Sequence, residues 1–219
     1  PYMRGRFKAF PSVKTELTIC GLGWFELYIN GKRYGDELFV PPISEYHSIP
    51  DRYCTVKYGE RLGTRTYCKK YDITSYLNAS GENVIGVFLG PGWYDTRPHT
   101  NRGISHYGST RLCYKIESGD NVIYSDTDIK WKGSFVTGYN LHEGEVQDLS
   151  LMLPDNWSSV DFDDSDWTNT EECFMPATEY YFTECPPDRV IRSIIPKIVK
   201  ETDEVIIYDA GENITGWPV

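Results

Sequence analysis

The sequence predicts an all-β fold, built as an antiparallel β-sandwich. Three observations predict it. Apolar and polar residues alternate over short runs, the period-2 pattern of a half-buried strand. Turn signals separate these runs at short intervals, as in sandwiches. Aromatic residues are abundant, with 17 Tyr, 9 Phe and 6 Trp among 219 residues, and such side chains suit a pleated surface. The strand–helix alternation that a parallel sheet requires is missing.

Trp24 to Ile29 is the clearest element. Phe25, Leu27 and Ile29 fall on one face, and Trp24, Glu26 and Tyr28 on the other. Asn30-Gly31 follows directly, a hairpin signal because a type I′ turn needs positive φ at both central residues. Lys32, Arg33 and Tyr34 begin the return strand. Further strands are expected at Glu16–Cys20, Arg65–Lys69, Asn83–Leu89, Thr110–Glu117, Val122–Tyr124, Ile129–Lys132, Val190–Ile195 and Val205–Tyr208. Ser80-Gly81, Ser118-Gly119 and Pro154-Asp155-Asn156 supply turns. A short helical turn is expected at Asp72–Leu77 with Asp72 as its cap, and a longer helix at Glu143–Leu153. Pro186 and Pro187 in a polar stretch mark a connection. The first domain is therefore expected at 1–183, and 184–219 as a linker and the start of a second β-domain.

The net charge is −10, from 32 acidic and 22 basic residues. Such a surface repels phosphate backbones and anionic lipid, so neither nucleic acid nor membrane is expected as a partner. The longest clean apolar run, Val84 to Leu89, falls far short of the roughly 20 residues a membrane span needs. The six cysteines form no Cys-x-x-Cys, so zinc and iron–sulfur sites are not expected. Cys20 and Cys113 lie in strand-like runs and read as buried thiols. Cys54 and Cys68 flank a polar stretch and are candidates for a bridge across a hairpin. No basic and apolar leader opens the chain at Pro1, which with the scattered cysteines slightly favours the cytoplasm. Gly216-Trp217-Pro218-Val219 reads as a strand cut short, as in a piece of a longer polypeptide.

Catalytic and nucleotide motifs are scarce. Gly21-Leu22-Gly23-Trp24-Phe25-Glu26 begins like a dinucleotide fingerprint but has Glu26 at the third glycine and no following helix to meet a pyrophosphate. No Gly-x-Ser-x-Gly elbow exposes a serine, and His47, His99, His106 and His142 read as loop residues. Asp161-Phe162-Asp163-Asp164-Ser165-Asp166-Trp167 is acidic but sits in one short run. A glycosidase needs two carboxylates facing each other across a sugar. The run reads as a turn whose Asp side chains bond local N–H groups while Phe162 and Trp167 anchor it inward. Gly90-Pro91-Gly92-Trp93-Tyr94-Asp95-Thr96-Arg97 carries more. It follows the most apolar strand and sets two aromatic rings beside Asp and Arg, the mixture of stacking faces and polar groups that a pyranose requires. Trp93, Tyr94, Asp95 and Arg97 are the candidate carbohydrate-binding residues, against the plainer reading of Trp93 and Tyr94 as packing under a loop.

These segments together resemble the N-terminal β-sandwich of bacterial α-L-rhamnosidases. The resemblance rests on Gly21 to Asp36, on Tyr71-Asp72-Ile73-Thr74, and on Gly81-Glu82-Asn83-Val84 running to Leu89-Gly90-Pro91-Gly92-Trp93-Tyr94. It continues in Gly144-Glu145 with Asp148, in Trp157 followed by Phe162 to Trp167, and in Tyr208 to Trp217, which is similar to the opening of the next β-domain. The resemblance implies a jelly roll of the galactose-binding-domain type plus the first strands of a second sandwich. It implies a parent of glycoside hydrolase family 78 that removes terminal α-L-rhamnose with inversion. The acid and base glutamates of that parent lie in an (α/α)6 barrel that these residues do not include. The chain is then a non-catalytic accessory domain, with that barrel and a rhamnose-containing glycan as partners.

In some relatives the first domain binds rhamnose through calcium, with an Asp-Asn pair on the loop after the Asn-Gly hairpin. Here the loop reads Val40-Pro41-Pro42-Ile43-Ser44-Glu45-Tyr46-His47-Ser48-Ile49-Pro50-Asp51, without that pair. Calcium takes several oxygen ligands, and Glu45 and Asp51 are the two candidates. No other cofactor is implied. A free-standing lectin-like module is the alternative reading, separated from the first by whether a helical barrel is encoded after Val219.

Overall fold

The computed structural model describes residues 1–44, 46, 65–95, 107–140 and 144–216. They divide into two compact units, Pro1–Asp188 and Arg189–Val219.

The first unit is a two-sheet sandwich. One sheet has six strands. In chain order they are β1 (Tyr2–Lys8), β3 (Trp24–Ile29), β4 (Lys32–Arg33), β6 (Glu82–Gly90), β9 (Lys130–Lys132) and β12 (Thr168–Asn169), arranged in space as β12-β9-β1-β6-β3-β4. The other has five: β2 (Thr15–Leu22), β5 (Arg65–Asp72), β7 (Arg111–Ser118), β8 (Asn121–Tyr124) and β13 (Glu179–Phe182), arranged as β13-β5-β2-β7-β8. All pairings within both sheets are antiparallel except β13 against β5 at one edge. A separate hairpin joins β10 (Val136–Asn140) to β11 (Gly144–Gln147). In the second unit, β14 (Lys197–Glu201) pairs antiparallel with β15 (Ile206–Asp209).

The alternation read at Trp24–Ile29 decides which face is inside. Phe25, Leu27 and Ile29 are buried and join Phe7, Ile85, Val87 and Leu89 from the same sheet. Leu17, Ile19, Tyr114 and Ile116 meet them from the other sheet. Each fully buried side chain of this kind contributes about 1.5–3 kcal/mol. Asn30 and Gly31 have φ of 52° and 82°, the type I′ signature, and Ile29 pairs with Lys32 across the turn.

A polar network seals the end of the sandwich next to that turn. Asn83 is 1% exposed. Its amide donates to the Ala9 and Gly81 carbonyls at 2.8 and 2.9 Å. Its oxygen accepts from Asn30 Nδ2 and the Asn78 N–H, both at 2.8 Å. All four hydrogen-bonding positions of a buried amide are thus filled, which is what makes its burial tolerable.

The structure corrects three expectations. Glu143–Leu153 is not a helix: Gly144 to Gln147 form β11, and only Leu149–Leu151 makes a single 3₁₀ turn, where the Asp148 carboxylate accepts from the Ser150 N–H at 3.0 Å. A positive φ of 94° at Gly144 breaks helical geometry at its start. Val190–Ile195 is not a strand; the strand lies further on, at Lys197–Glu201. Tyr2–Lys8, unanticipated, is a central strand hydrogen-bonded on both edges. The Asp72–Leu77 turn forms as a 3₁₀ turn at Thr74–Tyr76, with the Asp72 carboxylate accepting from the Thr74 N–H at 3.0 Å.

Candidate carbohydrate-binding loop

The loop after β6 is shaped by its glycines. Gly23 has φ of 115°, and a Cβ there would sit 2.1 Å from the Gly90 carbonyl oxygen. Gly92 has φ of 51°, and its Cβ would lie 3.0 Å from the Trp24 ring. The two backbones can interlock only because both positions lack a side chain. This gives a physical reason for the spacing of Gly21-Leu22-Gly23-Trp24 and Gly90-Pro91-Gly92-Trp93. The Tyr94 and Asp95 N–H groups then both donate to the Pro91 carbonyl, at 3.1 and 3.2 Å, closing a tight turn.

That turn sends neighbouring side chains in different directions. Tyr94 is 3% exposed. It meets Tyr46 edge-on at 5.0 Å and stacks on Tyr107 at 5.7 Å, while Tyr46 and Tyr107 are 4.9 Å apart. Burial raises the pKa of Tyr94, and burial likewise pushes Tyr46 up. Trp93 and Asp95 are half-buried at the surface. Trp24 packs against Phe39 at 4.7 Å beside them. The tyrosines rest on Cys20, Leu22 and Cys68, which belong to the outward face of the five-stranded sheet.

Among the named candidates, the structure therefore brings Trp93, Tyr94 and Asp95 together on one turn. Arg97, Glu45, Asp51 and Cys54 lie outside the described residues. Cys68 is a free, buried thiol. Among the described residues, no group of three or more His, Cys, Asp or Glu could hold a metal ion.

Sequence reasoning missed the strongest electrostatic site. Arg4, on β1, is 2% exposed and forms a salt bridge to Asp164. It also donates to the Ser159 carbonyl at 2.6 Å and the Phe162 carbonyl at 3.3 Å. Its guanidinium lies 5.4 Å from the Phe162 ring centre and 6.0 Å from that of Trp167. Lys130 reaches the other Asp164 oxygen at 2.9 Å. Burial by itself would raise the Asp164 pKa, but the Lys130 hydrogen bond and the charges of Arg4, Lys130 and Arg6 outweigh it and hold the carboxyl below its ordinary range. The acidic run is thus a clasp: Phe162 and Trp167 turn inward with Trp157, Tyr2, Tyr28 and Phe88 over the outer face of the six-stranded sheet. Asp163 accepts from the Ser165 N–H at 3.0 Å, the local turn read from the sequence.

Residues 12–192 match the family model described as the α-L-rhamnosidase N-terminal domain. The chain belongs to this family. An α-L-rhamnosidase from Formosa agariphila is 28% identical over 99% of the chain, which spans 22% of that relative. The α-L-rhamnosidase structure from Aspergillus terreus superposes with a TM-score of 0.78 at 27% identity, covering 99% of this chain and 24% of that one. The one from Dictyoglumus thermophilum gives 0.75 at 28% identity, over 97% of this chain and 22% of that one. The chain thus spans about a fifth to a quarter of the length of these relatives. In this chain Asn83 closes the sheet end, the paired glycines interlock two loops, and the Phe162–Trp167 run clasps the sheet.

Proposed function

We propose that the chain is a non-catalytic accessory domain of a longer α-L-rhamnosidase. It supports the catalytic part of the same polypeptide and presents the Trp93–Asp95 turn to a rhamnose-containing glycan. The match of nearly the whole chain to a fifth of an α-L-rhamnosidase carries this reading. The geometry of a sandwich suits it, since rigid sheets hold loops in place while the loops do the contacting. Trp93 and Asp95 supply a ring face and a hydrogen-bonding carboxylate at the surface, with Tyr94 as the packed floor beneath them. Arg97, and Glu45 with Asp51 as oxygen donors for calcium, extend the same proposal.

Titration of the chain with L-rhamnose, followed by backbone amide chemical shifts with and without calcium, tests it. The expected result is saturable shifts centred on Trp93 and Asp95, lost in Trp93→Ala. An unchanged spectrum at millimolar sugar in both conditions would remove the glycan from the proposal and leave support alone.

A further inference from the structure

Three cysteines stand in one row across the centre of the five-stranded sheet. β2 pairs with β7 in the register that sets Cys20 opposite Cys113. β2 pairs with β5 in a register ending at Ile19 and Lys69, and one further step sets Cys68 on the other side of Cys20. Strand alternation directs Leu17 and Ile19 into the core, so Cys20 points to the opposite face, where it packs with Cys68, Cys113 and Tyr94. Cys20 and Cys68 are buried, and Cys113 is half-exposed at the end of the row. Directly opposed residues on antiparallel strands have Cα atoms about 4.5–5.5 Å apart. A disulfide accepts about 4.4–6.8 Å, so the register sets the two Cα atoms within disulfide range.

We propose that Cys20 and Cys113 are a reversible dithiol–disulfide site, entered through Cys113 by a low-molecular-weight disulfide such as oxidised glutathione. Cys113 loses its proton to solvent and its thiolate attacks one sulfur of the glutathione disulfide. That S–S bond breaks, and one glutathione leaves and takes up a proton. Cys20, deprotonated in turn, attacks the Cys113 sulfur and expels the second glutathione. Two protein thiols are oxidised by two electrons, and one disulfide is reduced to two thiols. Exposure favours Cys113 over the buried Cys68 as the attacking group. A hydrogen bond from Cys20 lowers the pKa of both Cys113 and Cys68, whereas hydrogen bonding to its neighbours and burial push Cys20 up. The site lies in the packed layer beneath Tyr94, so its oxidation state acts on the floor of the Trp93–Asp95 turn.

The test is to incubate the folded chain with oxidised glutathione, unfold it in acid, alkylate the remaining thiols and map the unreduced digest by mass. The expected product is a peptide linking Cys20 to Cys113, absent after dithiothreitol. Cys68→Ser should retain the link. Cys113→Ser should abolish it and leave Cys20 fully alkylated. A wild-type digest in which Cys20 is fully alkylated, or is linked to any cysteine other than Cys113, overturns the proposal without reference to the variants.

Discussion

Asp164 is the residue on which most of the outer layer depends. It neutralises a guanidinium that is almost wholly removed from water, and it ties β1 to a segment some 160 residues further along the chain. Removing one partner of such a pair leaves a buried charge uncompensated, which is far costlier than the pair itself is stabilising. Asp164→Asn keeps the shape and removes the charge. It should lower the unfolding free energy by about 3 kcal/mol, read from urea midpoints. The pH dependence has a definite sign. The carboxyl is held below its unfolded value of about 3.9, so its contribution is fully present above about pH 4 and is lost as pH falls through the lower folded pKa. The wild-type stability curve should therefore fall more steeply in that acid window than the curve of Asp164→Asn. Equal slopes would show that Asp164 is not the titrating group. None of this was legible beforehand. Arg4-Gly5-Arg6 breaks the apolar alternation of β1, and the partner that makes a buried Arg acceptable is remote in sequence.

At the scale of elements, local signals were reliable where a single strand or turn fixes the outcome. Phe25, Leu27 and Ile29 point inward as their alternation required, and Asn30-Gly31 makes the tight hairpin. They failed where pairing decides. Val190, Ile191, Ile194 and Ile195 are β-branched and apolar, yet Ile191 and Ile195 are 92% and 94% exposed and the segment has no strand partner among the described residues. In the candidate loop, composition marked Trp93 and Tyr94 alike. The Pro91 turn separates them, and only backbone direction could show which ring faces in. The glycines were visible as letters, but their reason is tertiary. Gly86 lies on β6 under the 3₁₀ turn Asp155–Ser158, and its Cβ would stand 2.5 Å from Ser158 Cβ and 2.9 Å from the Trp157 ring. Gly86→Ala should lower the thermal midpoint, at a cost of about 1–3 kcal/mol for the overpacking. Gly133→Ala meets nothing within 4 Å and should stay within about 0.5 kcal/mol of wild type. Equal effects at the two positions would refute the packing of Trp157 onto the sheet.

At the scale of the whole molecule, the buried ion pair and the polar network at Asn83 hold the sandwich together. Three of the carboxylates have structural roles, in a clasp at Asp164, a turn at Asp163 and a capped 3₁₀ turn at Asp148. The chain belongs to the α-L-rhamnosidase N-terminal domain family and spans about a fifth of the α-L-rhamnosidase relative it matches. The central claim is that these residues hold and present while cleavage occurs elsewhere in the polypeptide. The most direct measurement is the release of an aryl alcohol from an aryl α-L-rhamnoside by the purified, folded 219-residue chain. The account predicts no release above buffer at any substrate concentration. Saturable turnover that disappears when a carboxylate of this chain is replaced by its amide would contradict it.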